Sequence, residues 1–159
     1  RWPEVSFRLS KEARSYYGNI NKAASIYQLE TDWDKYYLSA MAGIKARSRV
    51  PDEEEPPAEQ QFVDYVIKAY DDQKYEIYGS LIVAEIDRQG IPWGQKEKIR
   101  QLMLNLLDSD SNTRLSEEGT CALNCYAEKG SRLVKSEIKP QPELNQFLSE
   151  YYELLNRLG

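Results

Sequence analysis

From Ser10 to the C-terminus, apolar residues recur at steps of three and four with almost no alternation, and that period puts them on shared helical faces. Ser10 is placed to cap a short first helix that ends near Gly18. A second pattern runs from about Asn21 to Arg49, with Ile26, Leu29, Trp33, Tyr36, Tyr37, Ala40 and Ile44 forming one buried stripe, interrupted where Thr31 and Asp32 favour caps over helix interiors. Val50 to Pro57 reads VPDEEEPP, which cannot propagate a helix and has little to bury, so an exposed acidic, Pro-rich loop is expected. The third pattern spans about Ala58 to Gln89, with Phe62, Tyr65, Val66, Ala69, Tyr70, Ile77, Leu81, Ala84 and Glu85 inward and a break at Asp71-Asp72. Gly90 takes the usual C-terminal glycine position. Pro92 opens a fourth helix that runs to about Leu107. Ser116 caps a fifth that continues to about Ile138, weakened by Gly119 and Gly130. After Pro140 and Pro142 a last helix turns Leu144, Phe147, Leu148, Tyr151, Leu154, Leu155 and Leu158 to one side. No hairpin signal interrupts this, and the expected fold is all-α, an antiparallel bundle of about five or six helices.

The 159 residues fit one domain, and none of their apolar runs approaches the ~18 residues of a membrane span. An opening on Arg1 rather than Met is what processing, or origin as a segment of a longer product, would leave. Arg1-Trp2-Pro3 does not begin like a signal peptide. With no histidine, the commonest general base, the Ser-His and Cys-His pairs and most transition-metal sites are absent, so neither catalysis nor a cofactor is expected. Cys121 and Cys125 are four apart, which is not a redox C-x-x-C, and no second pair completes a zinc site. They read as small core residues of a protein in a reducing compartment, most simply the cytoplasm.

The loop Asp108-Ser-Asp110-Ser-Asn112 begins like a calcium loop. Thr113 stands where the sharp turn wants glycine and Gly119 where a bidentate glutamate belongs, so a capped polar turn is expected instead. Lys129, Arg132 and Lys135, with Lys139 beyond, step along one face of the fifth helix and are the best candidates for nucleic-acid backbone contacts. The alternative is a solvated face with Glu128 and Glu137 as neighbours. Arg47 and Arg49 close the second helix and either complement its dipole or, with Arg8, Lys11 and Arg14, add a second basic strip. Twelve tyrosines are many for this length, and in the pairs Tyr16-Tyr17, Tyr36-Tyr37 and Tyr151-Tyr152 one member can lie in the core and the other at a rim. Tyr16, Tyr37 and Tyr152 are the candidate interface residues. Paired acids such as Asp71-Asp72, Glu85 with Asp87, and Glu117-Glu118 read as solvated faces and helix N-termini.

Glu59-Gln60-Gln61-Phe62-Val63-Asp64-Tyr65, then Gly79-Ser80-Leu81-Ile82-Val83-Ala84-Glu85-Ile86, Gly90-Ile91-Pro92-Trp93 and Glu97-Lys98-Ile99-Arg100 together make a stretch, Gln61 to Leu107, that resembles the small helical subunits of class 1 CRISPR interference complexes and the C-terminal helical region of their large subunits. The resemblance implies a non-catalytic subunit of a ribonucleoprotein. It would pack on copies of itself and on other subunits, and contact guide RNA and target DNA through basic helix faces. The net charge of −5 departs from the positive charge common in that family. It suits the other reading, a protein–protein interaction or regulatory helical domain without nucleic acid.

Overall fold

The computed structural model describes residues 6–22, 29, 31–140 and 142–159. Among them are α1 (Lys11–Gly18), α2 (Asp32–Lys45), α3 (Gln73–Arg88), α4 (Lys96–Leu106), α5 (Glu117–Glu137) and α6 (Leu144–Leu158), with strands β1 (Phe7–Arg8) and β2 (Gln61–Val63) paired antiparallel. The fold is all-α with this one small sheet. No helix among the described residues is long and apolar enough to cross a membrane.

The helices begin where side chains relieve their unpaired N–H groups. The Ser10 hydroxyl accepts from Ala13 N at 3.2 Å, and that of Ser116 from Gly119 N at 2.9 Å. Thr31 and Asp34 form a reciprocal capping box, so the pair expected to interrupt a longer helix is where α2 starts. Asn19–Lys22 is a 3-10 turn, and Ile26 lies outside the described residues. Gly90, at φ 67°, ends α3: its N–H donates to Asp87 O and that of Ile91 to Ile86 O.

One long helix pattern is corrected. Ala58 to Tyr70 is not helical: two 3-10 turns flank β2. The segment is dense in β-branched and aromatic residues, and tertiary packing decides between strand and helix. Phe62 lies against an edge-to-face cluster in which Phe7 and Trp33 have centroids 4.8 Å apart, Trp33 and Tyr36 5.3 Å, and Tyr36 and Phe62 5.3 Å. Pairing with β1 brings that ring in. Likewise α4 starts at Lys96 rather than near Pro92, because Pro92 to Gln95 closes a turn of its own.

The longest helix, α5, is the spine, and α2 lies against it backbone to backbone. Gly43 and Gly130 sit at the crossing. A Cβ on Gly130 would collide with the carbonyl oxygen of Ser39, and one on Gly43 with that of Tyr126. Gly130 therefore weakens α5 as a helix and permits its closest packing.

Beside the crossing, buried Asn124 satisfies all of its side-chain hydrogen-bonding positions that matter for packing. Its Oδ1 accepts from Arg8 N at 3.1 Å and from the Tyr36 hydroxyl at 2.7 Å. Its Nδ2 donates to Ser6 O at 2.9 Å and to Glu55 Oε2 at 2.8 Å. Through Glu55 this hub holds the acidic segment. Pro51 to Glu54 is exposed as expected, yet Val50 and Pro56 are buried, Val50 N donates to Cys125 O, and Arg8 donates to Pro56 O. The segment is a strap laid along α5.

Gly130→Ala is expected to cost about 1–3 kcal/mol through overpacking, although alanine is the better helix former by about 1 kcal/mol. The midpoint of urea denaturation checks this. An unchanged or raised midpoint would contradict a backbone-to-backbone crossing.

Candidate functional site

The basic stripe on α5 is only partly available. Arg132 is exposed, but its Nε donates to Glu128 Oε2 at 2.9 Å and its Nη1 to Glu54 Oε1 at 2.9 Å. Those two carboxylates raise the guanidinium's pKa, the Glu54 hydrogen bond most. Glu128 lies inside the stripe, and its other oxygen, Oε1, is buried with no hydrogen-bond partner among the described residues. A carboxylate so placed repels phosphate. Lys129 is half-buried and Lys135 exposed; with Lys11 across the cleft between α1 and α5, they form no ion pair among the described residues.

The arginines of the second basic strip have partners within the chain. Arg47 sits at φ 54° just past the end of α2, donates to Ile44 O at 2.7 Å and pairs with Asp87 at 2.9 Å, so it closes its own helix and ties it to α3. The Arg49 side chain is only 11% exposed and is held by Glu85 at 3.5 Å and by Asp52. Arg8 donates to the strap carbonyl of Pro56, and Arg14 to the carbonyls of Gln60, just before β2, and Gln61, its first residue.

Glu85, expected on the inward face of α3, is an ion-pair centre. It accepts from the Tyr126 hydroxyl at 2.7 Å and from Arg88 at 2.7 and 3.0 Å. Burial pushes its pKa up. The hydrogen bonds from Arg88 and Tyr126, with the charges of Arg88 and Arg49, outweigh burial and hold it below the ordinary 4.5.

The tyrosine expectations divide. Tyr16 is core: it is buried, and its hydroxyl donates to Ile138 O at 2.8 Å. Tyr37 is half-buried against Tyr70, with ring centroids 5.6 Å apart. Tyr152 is 68% exposed and stands as expected at a rim. It borders a groove of about 720 Å³ walled by Met41 and Ile44 of α2, Gly79 and Val83 of α3, and Tyr152 and Leu155 of α6. Gly79 has no distinguishing mark in the sequence. In the structure it is exposed in the middle of α3, with nothing among the described residues within 4 Å of where a Cβ would stand.

The loop after α4 is the expected capped turn: Asp108 Oδ1 accepts from Asp110 N, and Leu107 and Leu115 bridge its ends. Cys125 is core as expected, whereas Cys121 is half-exposed. The Asp52 carboxylate and the two thiols lie within 4.8 Å of one another. The hydrogen bond with Cys125, burial and the charge of Glu55 all push the Cys121 thiol pKa up. Comparison of the chain with protein families, with curated proteins and with solved structures returned no match.

Because Glu85 is depressed when folded, its ion pairs contribute fully above its unfolded value near 4.5 and are lost as pH falls through the lower folded value. Thermal melts followed from about pH 6 to pH 3 should show stability falling across that window. Glu85→Ala is expected to cost about 1–3 kcal/mol at neutral pH by leaving the buried Tyr126 hydroxyl without its acceptor, and to flatten the acid limb.

Proposed function

We propose that this protein is a non-catalytic, cytoplasmic protein-binding module whose groove between α2, α3 and α6 receives an amphipathic helix of a partner protein. The observation that carries this reading is Gly79. A mid-helix glycine costs about 1 kcal/mol relative to alanine, and at Gly43 and Gly130 the fold uses that cost to bring two backbones together. At Gly79 nothing among the described residues makes use of it, and the residue lines an apolar groove, where a partner helix can approach closely. Tyr152 at the rim supplies a large apolar body with a polar tip, a common anchor at interfaces. Glu85, the buried carboxylate with a lowered pKa, is saturated by its own partners and faces no reacting group, which favours binding over chemistry.

A second reading, in line with the resemblance to CRISPR small subunits, rests on Lys11, Lys129 and Lys135. Lys11 and Lys135 border the α1–α5 cleft and Lys129 lies further along α5; none has an ion pair among the described residues, and together they would lie along a guide RNA or target DNA backbone. It calls for binding that weakens by roughly 0.7 log units per log of salt for each single-strand phosphate contacted.

Gly79→Ala should stabilise the free protein by about 0.5–1 kcal/mol, because its Cβ meets open space. Gly79→Arg should leave the fold intact and weaken partner binding at least about tenfold, as should Tyr152→Ala. The partner is recovered by affinity capture, its helical segment synthesised, and affinities measured by calorimetry at two salt concentrations. Equal binding by Gly79→Arg and the parent chain would overturn the groove reading. Recovery of a uniform short RNA, bound in a way that Lys129→Glu and Lys135→Glu abolish, would establish the second.

A further inference from the structure

We propose that Cys121, Cys125 and Asp52 form a binding site for one zinc-type divalent cation. The cysteines are one helical turn apart on α5, so both sulfurs emerge on the same face. The strap delivers the carboxylate: Cys121 Sγ is 3.8 Å from Asp52 Oδ1 and Cys125 Sγ is 3.8 Å from Pro51 O. A tetrahedral zinc centre with Zn–S near 2.3 Å sets neighbouring donors roughly 3.5–3.8 Å apart. The three donor atoms, mutually within 4.8 Å, need at most about 1.3 Å of adjustment to reach that spacing.

The chemistry of the donors selects the ion. Two sulfurs and a carboxylate suit a borderline-soft cation such as zinc, whereas calcium and magnesium take six or more oxygens. The surroundings hold the donors in place. Val50 N donates to Cys125 O, Asn124 pins Glu55 beside the pair, and Arg49 pairs with Asp52. Arg49 holds Asp52 Oδ1, the same oxygen that stands 3.8 Å from Cys121 Sγ, so on ligation the metal and Arg49 share the carboxylate, one on Oδ1 and the other on Oδ2. An entry path exists, since Cys121 and Asp52 line a cleft of about 210 Å³ with Glu118. On binding, each thiol gives its proton to solvent and each sulfur its lone pair to the metal.

The test uses the full chain, reduced and stripped of metal. Zinc is titrated in competition with a chromophoric chelator, and cobalt(II) is titrated while the absorption spectrum is followed. The expected result is one equivalent per chain, with a thiolate-to-cobalt charge-transfer band and the intense visible bands of tetrahedral cobalt. Cys121→Ser and Asp52→Asn, both at accessible positions, should each weaken binding at least about tenfold while keeping the helical circular dichroism of the parent. Saturable one-to-one binding that both substitutions weaken supports the site. Absence of saturable binding by the reduced chain, cobalt bound without a charge-transfer band, or undiminished binding by Cys121→Ser overturns it.

Discussion

Two helices touch backbone to backbone only where their side chains have been reduced to hydrogen, and the Gly43–Gly130 crossing of α2 on α5 is where this molecule does so. Much else is positioned by that approach. It sets Tyr36 of α2 within 2.7 Å of Asn124 on α5, and the Tyr17 hydroxyl of α1 within 2.8 Å of Ser39 beside the crossing. With α5 fixed, Tyr126 reaches Glu85 on α3, and the strap has a surface to lie along. A wider crossing would part the buried Tyr36 hydroxyl from Asn124, which costs more than the lost packing alone.

Two polar hubs then divide the charge of the chain between them. Asn124 gathers β1, α2 and the strap, and Glu85 gathers α3, α5 and the end of α2. Arg8, Arg47, Arg49 and Arg132 are drawn into pairs with acids from distant segments, and Arg88 into one with Glu85 on its own helix. Arginine suits this work because its planar fork bonds two oxygens at once. The unpaired cations near the α1–α5 cleft are lysines, so the surface that remains free for ligands differs in kind from the one a tally of basic residues implies.

The helical fold and its punctuation were readable because they are local. Ser10, Ser116 and Gly90 act within a turn of themselves, and the apolar stripes of α5 and α6 follow from spacing alone. What could not be read is what joins remote segments. Gln61 to Ile67 carries an apolar run compatible with helix or strand, and β1, more than fifty residues earlier, decides it. Arg132 looked free because Glu54, 78 residues away, is not its sequence neighbour. Asp52 joins Cys121 across 69 residues, which is why two cysteines four apart read only as core. Tyr16 was placed at a rim because adjacent tyrosines usually diverge, but Ile138 supplies a buried acceptor and both members of the pair go in. Gly79 left no trace, since an exposed glycine and a packed one are the same letter.

The α2–α5 crossing also imposes an order of events on synthesis. Gly43 leaves the ribosome roughly ninety residues ahead of Gly130, a delay of several seconds at about 5–20 residues per second. Through that interval Trp33, Tyr36 and Ile44 have no spine to lie against, and Phe7 and Leu9 lack the Asn124 anchor beside them. The N-terminal half is thus a long-lived apolar surface during translation, a natural client for holding chaperones. The surface it needs for burial is supplied when its fifth helix emerges.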